Sequence, residues 1–271
     1  MNLKPIHQIE LNLLETFIML CHQYSLNYFL IGGSLLGAVR HQGFIPWDDD
    51  LDVGMPREDY NRFLKVAPVV LSHSAYFLQT PFTDRNYGLS YAKLIDTETQ
   101  IEEYNNMNHA KKGLFIDIFP FDQISPSSGE RTSQMAKLKL LDGSILVRLG
   151  YHIVETPLSQ MARPLTVKQY NAVRTLKHKR EALMQAFSAP HQSDAAFKNL
   201  ASQYGYDKEI LSADEMTHLT PHLFEHLTVN IPTAYDAILT RMYGNYQQLP
   251  NANQQVPKHF KHVSINNDLL F

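Results

Sequence analysis

Asp48, Asp50 and Asp52 occupy alternate positions in the run Trp-Asp-Asp-Asp-Leu-Asp-Val. In an extended strand, side chains alternate between faces and rise about 3.3 Å per residue, which puts these three carboxylates on one face, neighbours about 6.6 Å apart. Leu51 and Val53 then point into the core. Like charges about 6 Å apart at an effective dielectric of about 20 cost roughly 2 to 3 kcal/mol per pair. Such a strand makes physical sense with a bound cation or with raised pKa values. The all-oxygen ligand set suits Mg²⁺ or Mn²⁺, which takes one or two carboxylates and completes its shell with water and substrate phosphates. Upstream, the apolar run Tyr28 to Ile31 reads as a buried strand entering Gly32, Gly33 and Ser34, and Leu35 to Arg40 reads as a short helix. Glycine lets the backbone approach a ligand, and the free N–H groups of a helix N-terminus attract anions. Ser34 either caps that helix or gives its hydroxyl to a phosphate oxygen. Taken alone, Gly-Gly-Ser is a turn and Asp-Asp-Asp a solvated loop. The ordered sequence of apolar strand, glycine turn and carboxylate strand is a pattern that a surface loop has no reason to produce.

A further carboxylate lies in Leu114-Phe115-Ile116-Asp117-Ile118-Phe119-Pro120, a strand so apolar that both its faces must be covered. Burying one ionisable group there is unfavourable unless it is paired, protonated or on a metal. The reading adopted sets the Asp117 strand beside the Asp50 and Asp52 strand to complete a three-carboxylate site; the alternative is a structural Asp capping a backbone N–H. The nearest basic candidates are Arg40, His41 and Lys93. Arg40 and His41 also suit the helix dipole at the last turn of the short helix, and Lys93 has Asp96 as a potential ion-pair partner. Trp47 either stacks on a base or closes the core beneath the carboxylates, the core being the favoured reading.

These segments together resemble the LicD/fukutin-type phosphotransferases. The resemblance rests on Gly32-Gly33-Ser34, Leu36-Gly37-Ala38-Val39-Arg40-His41, Ile45-Pro46-Trp47-Asp48-Asp49-Asp50-Leu51-Asp52 and Phe115-Ile116-Asp117-Ile118-Phe119-Pro120. It extends more weakly through Ala92-Lys93-Leu94-Ile95-Asp96-Thr97 and Tyr243-Gly244-Asn245-Tyr246, where relatives are expected to carry Asp in place of Asn245. The resemblance implies an α+β, nucleotidyltransferase-like mixed sheet flanked by helices. It also implies transfer of a phospho-alcohol, such as phosphocholine or ribitol phosphate, from a CDP-linked donor to a sugar hydroxyl of a cell-surface glycan, with release of CMP. Carried over residue by residue, Asp50 and Asp52 are metal ligands, Asp117 is a third ligand or the general base, and Gly33 and Ser34, with Gly32 before them, hold the donor phosphates.

The same chemistry follows from charge. A pyrophosphate resists nucleophiles through its own negative charge, so a catalyst must neutralise that charge and align the attacking oxygen. A metal on Asp50 and Asp52, with Arg40, His41 or Lys93 nearby, meets that need. If its apolar strand raises its pKa, Asp117 can take the proton of the sugar hydroxyl. A competing reading is a nucleotidyltransferase that passes NMP from an NTP to a small molecule, protein or tRNA. Another is a catalytically silent nucleotide-binding subunit, although all three carboxylates remain. A glycoside hydrolase has no use for the glycine turn.

The elements that must hold these residues are legible in outline. Ile6, Ile9, Leu13, Phe17, Leu20, Cys21 and Tyr24 recur at helical spacing, with Pro5 suited to a first turn. The pattern predicts a helix from Arg57 to Ala67 stopped by Pro68, strands at Tyr76–Thr80, Leu89–Ile95 and Ile101–Tyr104, and a polar connection from Gln123 to Gly129. Helices are predicted over roughly 131–150, 166–187, 194–203 and 233–243, making the second half mainly helical. A sheet-rich core over 1–125 and a helical extension over 126–271, packed on it, are read as one domain. Ten Lys/Arg against four Asp/Glu between residues 130 and 190 give +6, within a chain of net charge −3. That is a solvated helix face, or a side that meets an anionic glycan, a lipid-linked acceptor or the membrane surface. The net charge gives no reason to expect nucleic-acid binding. One cysteine, Cys21, excludes an internal disulfide and a cysteine-rich zinc site. No stretch has the roughly 20 apolar residues of a bilayer span, and no signal-peptide pattern opens the sequence. The expectation is a cytoplasmic protein, with peripheral membrane contact as an option, consistent with a CDP-alcohol donor made in that compartment.

Overall fold

The computed structural model describes residues 3–103, 108–151, 163–187, 195–257, 259–265 and 268–269. The chain opens with helix α1 (Lys4–Gln23), whose apolar stripe Ile6, Leu13, Phe17, Leu20 and Cys21 is buried and whose Pro5 lies in the first turn. Strand β1 (Phe29–Leu30), helix α2 (Gly32–His41), strand β2 (Asp52–Pro56) and helix α3 (Arg57–Val70) follow. Next come β3 (Tyr76–Gln79), β4 (Ala92–Asp96), β5 (Thr99–Glu103) and the long β6 (Phe115–Ile124). Helices α4 (Ser128–Arg148) and α5 (Val167–Met184) lead into β7 (Ala196–Asn199), β8 (Ile210–Ser212) and α6 (Ala213–Thr217). The hairpin β9 (Leu219–Phe224) and β10 (Leu227–Pro232), helix α7 (Tyr235–Tyr243), β11 (Phe260–Ile265) and β12 (Asp268–Leu269) complete an α+β fold.

The main sheet runs β1-β2-β6-β4-β3, and β7 and β8 extend it from the far half of β6. β6 is central: it pairs in parallel with β2, antiparallel with β4, and, beyond Pro120, antiparallel with β7. Register fixes the charge geometry. Asp52 is the partner of Asp117, Asp117 of Lys93, and Lys93 of Gln79, so one row of polar side chains crosses four strands on one face of the sheet. The residues flanking this row, Leu51, Val53, Ile116, Ile118 and Leu94, are completely buried and belong with α1 and α3 to one large apolar core.

Several elements depart from the sequence pattern. The carboxylate strand begins at Asp52, and Asp48 to Asp50 lie in the connection before it, because a turn over Pro46 and Trp47, closed by Asp48 N–H donating to Ile45 O at 2.9 Å, delays the extended conformation. Helix α3 continues through Pro68 for two residues; at the C-terminal turn the missing N–H removes only one bond. Residues 196–199, read as part of a helix, form β7 on the edge of β6, and the second half supplies strands β7 to β12 alongside its helices. Tyr104 and residue 194, the ends of two predicted elements, lie outside the described residues. Helix α5 is tied to the sheet by Arg57, which donates to Asp122 of β6 and to Glu181, all at 2.6 Å.

Candidate active site

The polar row opens into a cavity of about 380 Å³ whose lining includes Gly32, Asp50, Asp52, Lys93, Asp117 and His259. Three elements build its acidic wall. Ser34, inside α2, accepts the Asp52 N–H at 2.8 Å through its hydroxyl and so fixes where β2 begins. Gly32 has φ +55, and a Cβ there would lie 3.3 Å from Asp52 Oδ2; at Gly33 a Cβ would lie 2.6 Å from Asp48 Oδ2. The two glycines therefore let carboxylates sit against the first turn of α2, where free N–H groups favour negative charge.

Burial dominates the electrostatics. Asp52 is pushed well above the usual carboxylate range, first by burial and then by the charges of Asp50 and Asp117. Asp117 is raised to about 7 by burial, against the pull of Lys93. Asp48 is raised to about 8 by burial and by the neighbouring Asp50, and Asp50 is raised by burial against the opposing charge of His259. Asp52 Oδ1 and Asp117 Oδ1 are both buried without a hydrogen-bond partner. Lys93 Nζ sits 3.6 Å from Asp117, 3.5 Å from Glu103 and 3.1 Å above the Phe115 ring. It pairs with those carboxylates in place of Asp96.

Two contributors escaped the sequence reading. His259, next to β11, donates its backbone N–H to Asp49, meets Asp49 through Nδ1 at 2.8 Å, and lies 3.4 Å from Asp50 through Nε2. Burial would lower its pKa, but the Asp49 hydrogen bond and the charges of Asp50, Asp49 and Asp48 raise it to about 9, so it is a cation at neutral pH. Asp49 is 1% exposed and anchors this contact across 210 residues of sequence, a pairing that local pattern does not encode. Glu10 is the other: it falls on the buried stripe of α1 with neither carboxyl oxygen hydrogen-bonded, and burial together with the nearby aspartates pushes its pKa well above the ordinary carboxylate range. A glutamate at helical spacing between Ile6 and Leu13 was the available signal.

The remaining candidates lie apart from the cavity lining. Gly33 and Ser34 stand behind Gly32 and Asp52. Arg40 donates to the Tyr246 carbonyl at 2.7 Å, which ties α2 to the Tyr243–Tyr246 tail, and His41 meets Trp47 edge-on at 6.2 Å. Trp47 is partly buried against the core.

The arrangement fits a hard divalent cation through two positions. Asp52 and Asp117 offer buried oxygens from adjacent strands that accept no hydrogen bond, Asp117 Oδ1 having only the Lys93 ammonium at 3.6 Å, a donor set suited to Mg²⁺ or Mn²⁺ with substrate oxygens completing the shell. Among the described residues, no three His, Cys, Asp or Glu side chains stand together as a closed metal cage; Asp50 lines the same cavity but is engaged by His259.

Residues 25–142 match the model of the LicD/FKTN/FKRP nucleotidyltransferase domain. The chain belongs to the LicD/fukutin family. It is 29% identical over 98% of both chains to the lipopolysaccharide cholinephosphotransferase LicD of Haemophilus influenzae. It is 31% identical to the human ribitol 5-phosphate transferase FKRP over 94 residues, 35% of this chain and 16% of that protein. An uncharacterized protein of Rickettsia typhi shares 52% identity over 44 residues, 16% of this chain and 14% of its own. The matched domain holds the complete Asp52, Asp117 and Lys93 row, whereas His259 comes from outside it.

Proposed function

We propose that this LicD/fukutin protein transfers a phospho-alcohol from a CDP-linked donor to a sugar hydroxyl of a cell-surface glycan, releasing CMP, with Mg²⁺ or Mn²⁺ held by Asp52 and Asp117. At the coarser level the chain is a phosphotransferase, as the cholinephosphotransferase and ribitol 5-phosphate transferase relatives are. The observation that carries the reading is the pair of buried Asp52 and Asp117 carboxylates, register partners on parallel strands whose Oδ1 atoms accept no hydrogen bond, in the wall of a cavity that Lys93 and His259 also line, with Lys93 Nζ 3.6 Å from Asp117 Oδ1.

In the reaction the acceptor hydroxyl oxygen forms a new P–O bond as the anhydride P–O bond to CMP breaks, and the hydroxyl proton passes to a cavity carboxylate and then to solvent. Phosphoryl transfer of this kind depends on positioning and charge neutralisation. A bound divalent cation would supply Lewis-acid neutralisation of the diphosphate. Lys93, held by its register with Asp117, and His259, held by Asp49, place fixed positive charge where phosphate oxygens must sit. Gly32 and the first turn of α2 supply a close, N–H-lined approach beside Asp52.

The cavity walls favour a choline-type alcohol. Tyr91, Phe119, Tyr151 and Tyr204 line it together with Glu103 and Glu209, and the Tyr91 and Phe119 rings stand 4.2 Å apart. Aromatic faces beside carboxylates suit a quaternary ammonium better than a polyol. No helix among the described residues is long and apolar enough to cross a membrane. We place the reaction on the cytoplasmic side, where CDP-alcohols are made, with the basic α4 and α5 segment available for contact with the membrane face or a lipid-linked acceptor.

The test is to incubate the protein with CDP-choline, CDP-ribitol and CDP-glycerol, and separately with NTPs, in the presence of glycan. CMP release, greatest with CDP-choline, supports the proposal; pyrophosphate release from an NTP without CMP from any CDP-alcohol would replace it with nucleotidyl transfer.

A further inference from the structure

A second cavity, of about 360 Å³, opens between the Pro81–Arg85 turn and one face of α5. This is within the size range of small-molecule sites. Arg85, Arg174, Lys177 and His178 contribute to its lining, and among the described residues no carboxylate does. Its surfaces are of two kinds. Phe82, 45% exposed, stacks on His178 with ring centroids 4.6 Å apart, and together they present an aromatic platform. Beside them the Arg85 guanidinium lies 4.4 Å from the Tyr170 ring centroid, and Arg174 is exposed. At the floor Lys177 is 2% exposed and donates to the carbonyls of Pro81 at 2.9 Å and Arg85 at 3.1 Å. Burial and the neighbouring Arg180 lower its pKa to about 8 against Asp84. Asp84 is itself engaged by Gln79 and by the N–H groups of Asn86 and Lys111.

The chemistry selects the ligand. Two arginines lining one cavity, with no carboxylate among its described lining residues, attract an anion, and a guanidinium binds anion oxygens in pairs. The exposed aromatic platform adds an apolar face that inorganic phosphate cannot use. A sugar carrying phosphate or carboxylate offers both, its charged group to the arginines and its C–H face to Phe82 and His178. Position relates the cavity to the reaction. Arg85 is four residues from Leu89, which lines the catalytic cavity, so their Cα atoms are at most about 14 Å apart. Helix α5 clamps this loop: Arg180 donates to Gly88 O at 2.7 Å and Leu89 O at 2.8 Å, and Tyr170 donates to Asn86 at 2.6 Å. The two cavities are therefore lined by neighbouring parts of one loop.

We propose that the Arg85–Arg174 cavity is an acceptor subsite that takes a phosphate- or carboxylate-bearing sugar of the glycan. The acceptor assignment rests on the phosphotransfer reading, but the binding is measured independently of it. Glucose 6-phosphate, glucose and inorganic phosphate are titrated at low ionic strength into the wild type, Arg85→Glu and Arg174→Glu, by saturation-transfer NMR and competition. Glucose 6-phosphate is expected to bind about tenfold or more tighter than glucose or phosphate, and each charge reversal to weaken it about tenfold or more, the scale of a lost charge-assisted hydrogen bond. Equal binding of phosphate, or binding indifferent to both substitutions, would overturn the proposal. So would arginine-dependent binding of phosphatidylglycerol vesicles without sugar phosphate binding, which would make this a lipid contact. CMP release by a wild-type protein that binds no sugar phosphate sinks the subsite alone. Arginine-dependent sugar phosphate binding without CMP release from any CDP-alcohol sinks the phosphotransfer reading.

Discussion

Replacing Asp52 with Asn is expected to abolish turnover and yet stabilise the metal-free protein. Asp52 Oδ1 is buried without a partner, and the charges that act on it, Asp50, Asp117, Asp48 and Glu209, are all acidic. Asp117 is its register partner, and neighbouring strands lie about 4.8 Å apart, so two ionised carboxylates roughly 5 Å apart at an effective dielectric of about 20 repel by about 3 kcal/mol. Protonation already relieves part of that, which leaves about 1 to 2 kcal/mol for Asn to recover. Asparagine has nearly the same shape and retains the backbone N–H bond to Ser34. At about 2 to 4 °C per kcal/mol for large domains, the variant should melt about 2 to 8 °C higher than wild type in EDTA at pH 8. Mg²⁺ should then raise the melting temperature of the wild type and leave the variant nearly unchanged. A variant that melts below wild type in EDTA, or gains equally from Mg²⁺, would mean that Asp52 neither repels its neighbours nor holds the ion.

Other consequences are equally direct. Lys93→Met removes the cation that Asp117 and Glu103 share, and should lower kcat for CMP release by about 100-fold or more while also lowering the melting temperature. His259, raised from an ordinary 6.5 to about 9, contributes stability that is complete below about pH 6.5 and is lost as pH rises through about 9. The raised carboxylates act in the same direction from about pH 4 upward, since the folded state holds their protons longer. Metal-free protein should therefore melt at steadily lower temperature from about pH 5 to pH 10, and His259→Gln should flatten the alkaline part and raise the donor KM below pH 9. Gly32→Ala forces a side chain onto φ +55 with Asp52 Oδ2 3.3 Å away, and should cost about 1 to 2 kcal/mol in a denaturant titration. Tyr91→Ala should raise KM for CDP-choline more than for CDP-ribitol if the aromatic wall holds the ammonium group.

The legible parts were those written in local pattern. The buried stripe of α1, the apolar β6 and the glycine turn into α2 follow from periodicity and backbone sterics, and the isolation of Asp117 in an apolar strand pointed to a carboxylate partner on a neighbouring strand. Alternation starts the strand at Asp48, whereas Pro46 and Trp47 turn the chain so that it begins at Asp52; Asp50 still lines the cavity with Asp52, and the turn gives Asp49 a buried place. The pairing of Asp49 with His259 depends on β11 joining β5, a long-range pairing with no local signature. Residues 196–199 were read as helical, but pairing with the open edge of β6 beyond Pro120 sets their conformation. Arg40 and His41 carried a charge that suited phosphate, but the tail at Tyr246 takes the Arg40 guanidinium.

The proposed reaction requires that Asp52 and Asp117 together hold the divalent ion against the donor diphosphate. Anomalous diffraction from crystals soaked with Mn²⁺ and CDP-choline measures this directly. One strong manganese peak is expected within coordination distance of Asp52 Oδ1 and Asp117 Oδ1, with donor phosphate oxygens in its shell and no such peak in Asp52→Asn. Donor bound with its diphosphate remote from this pair, or manganese held elsewhere, would contradict it.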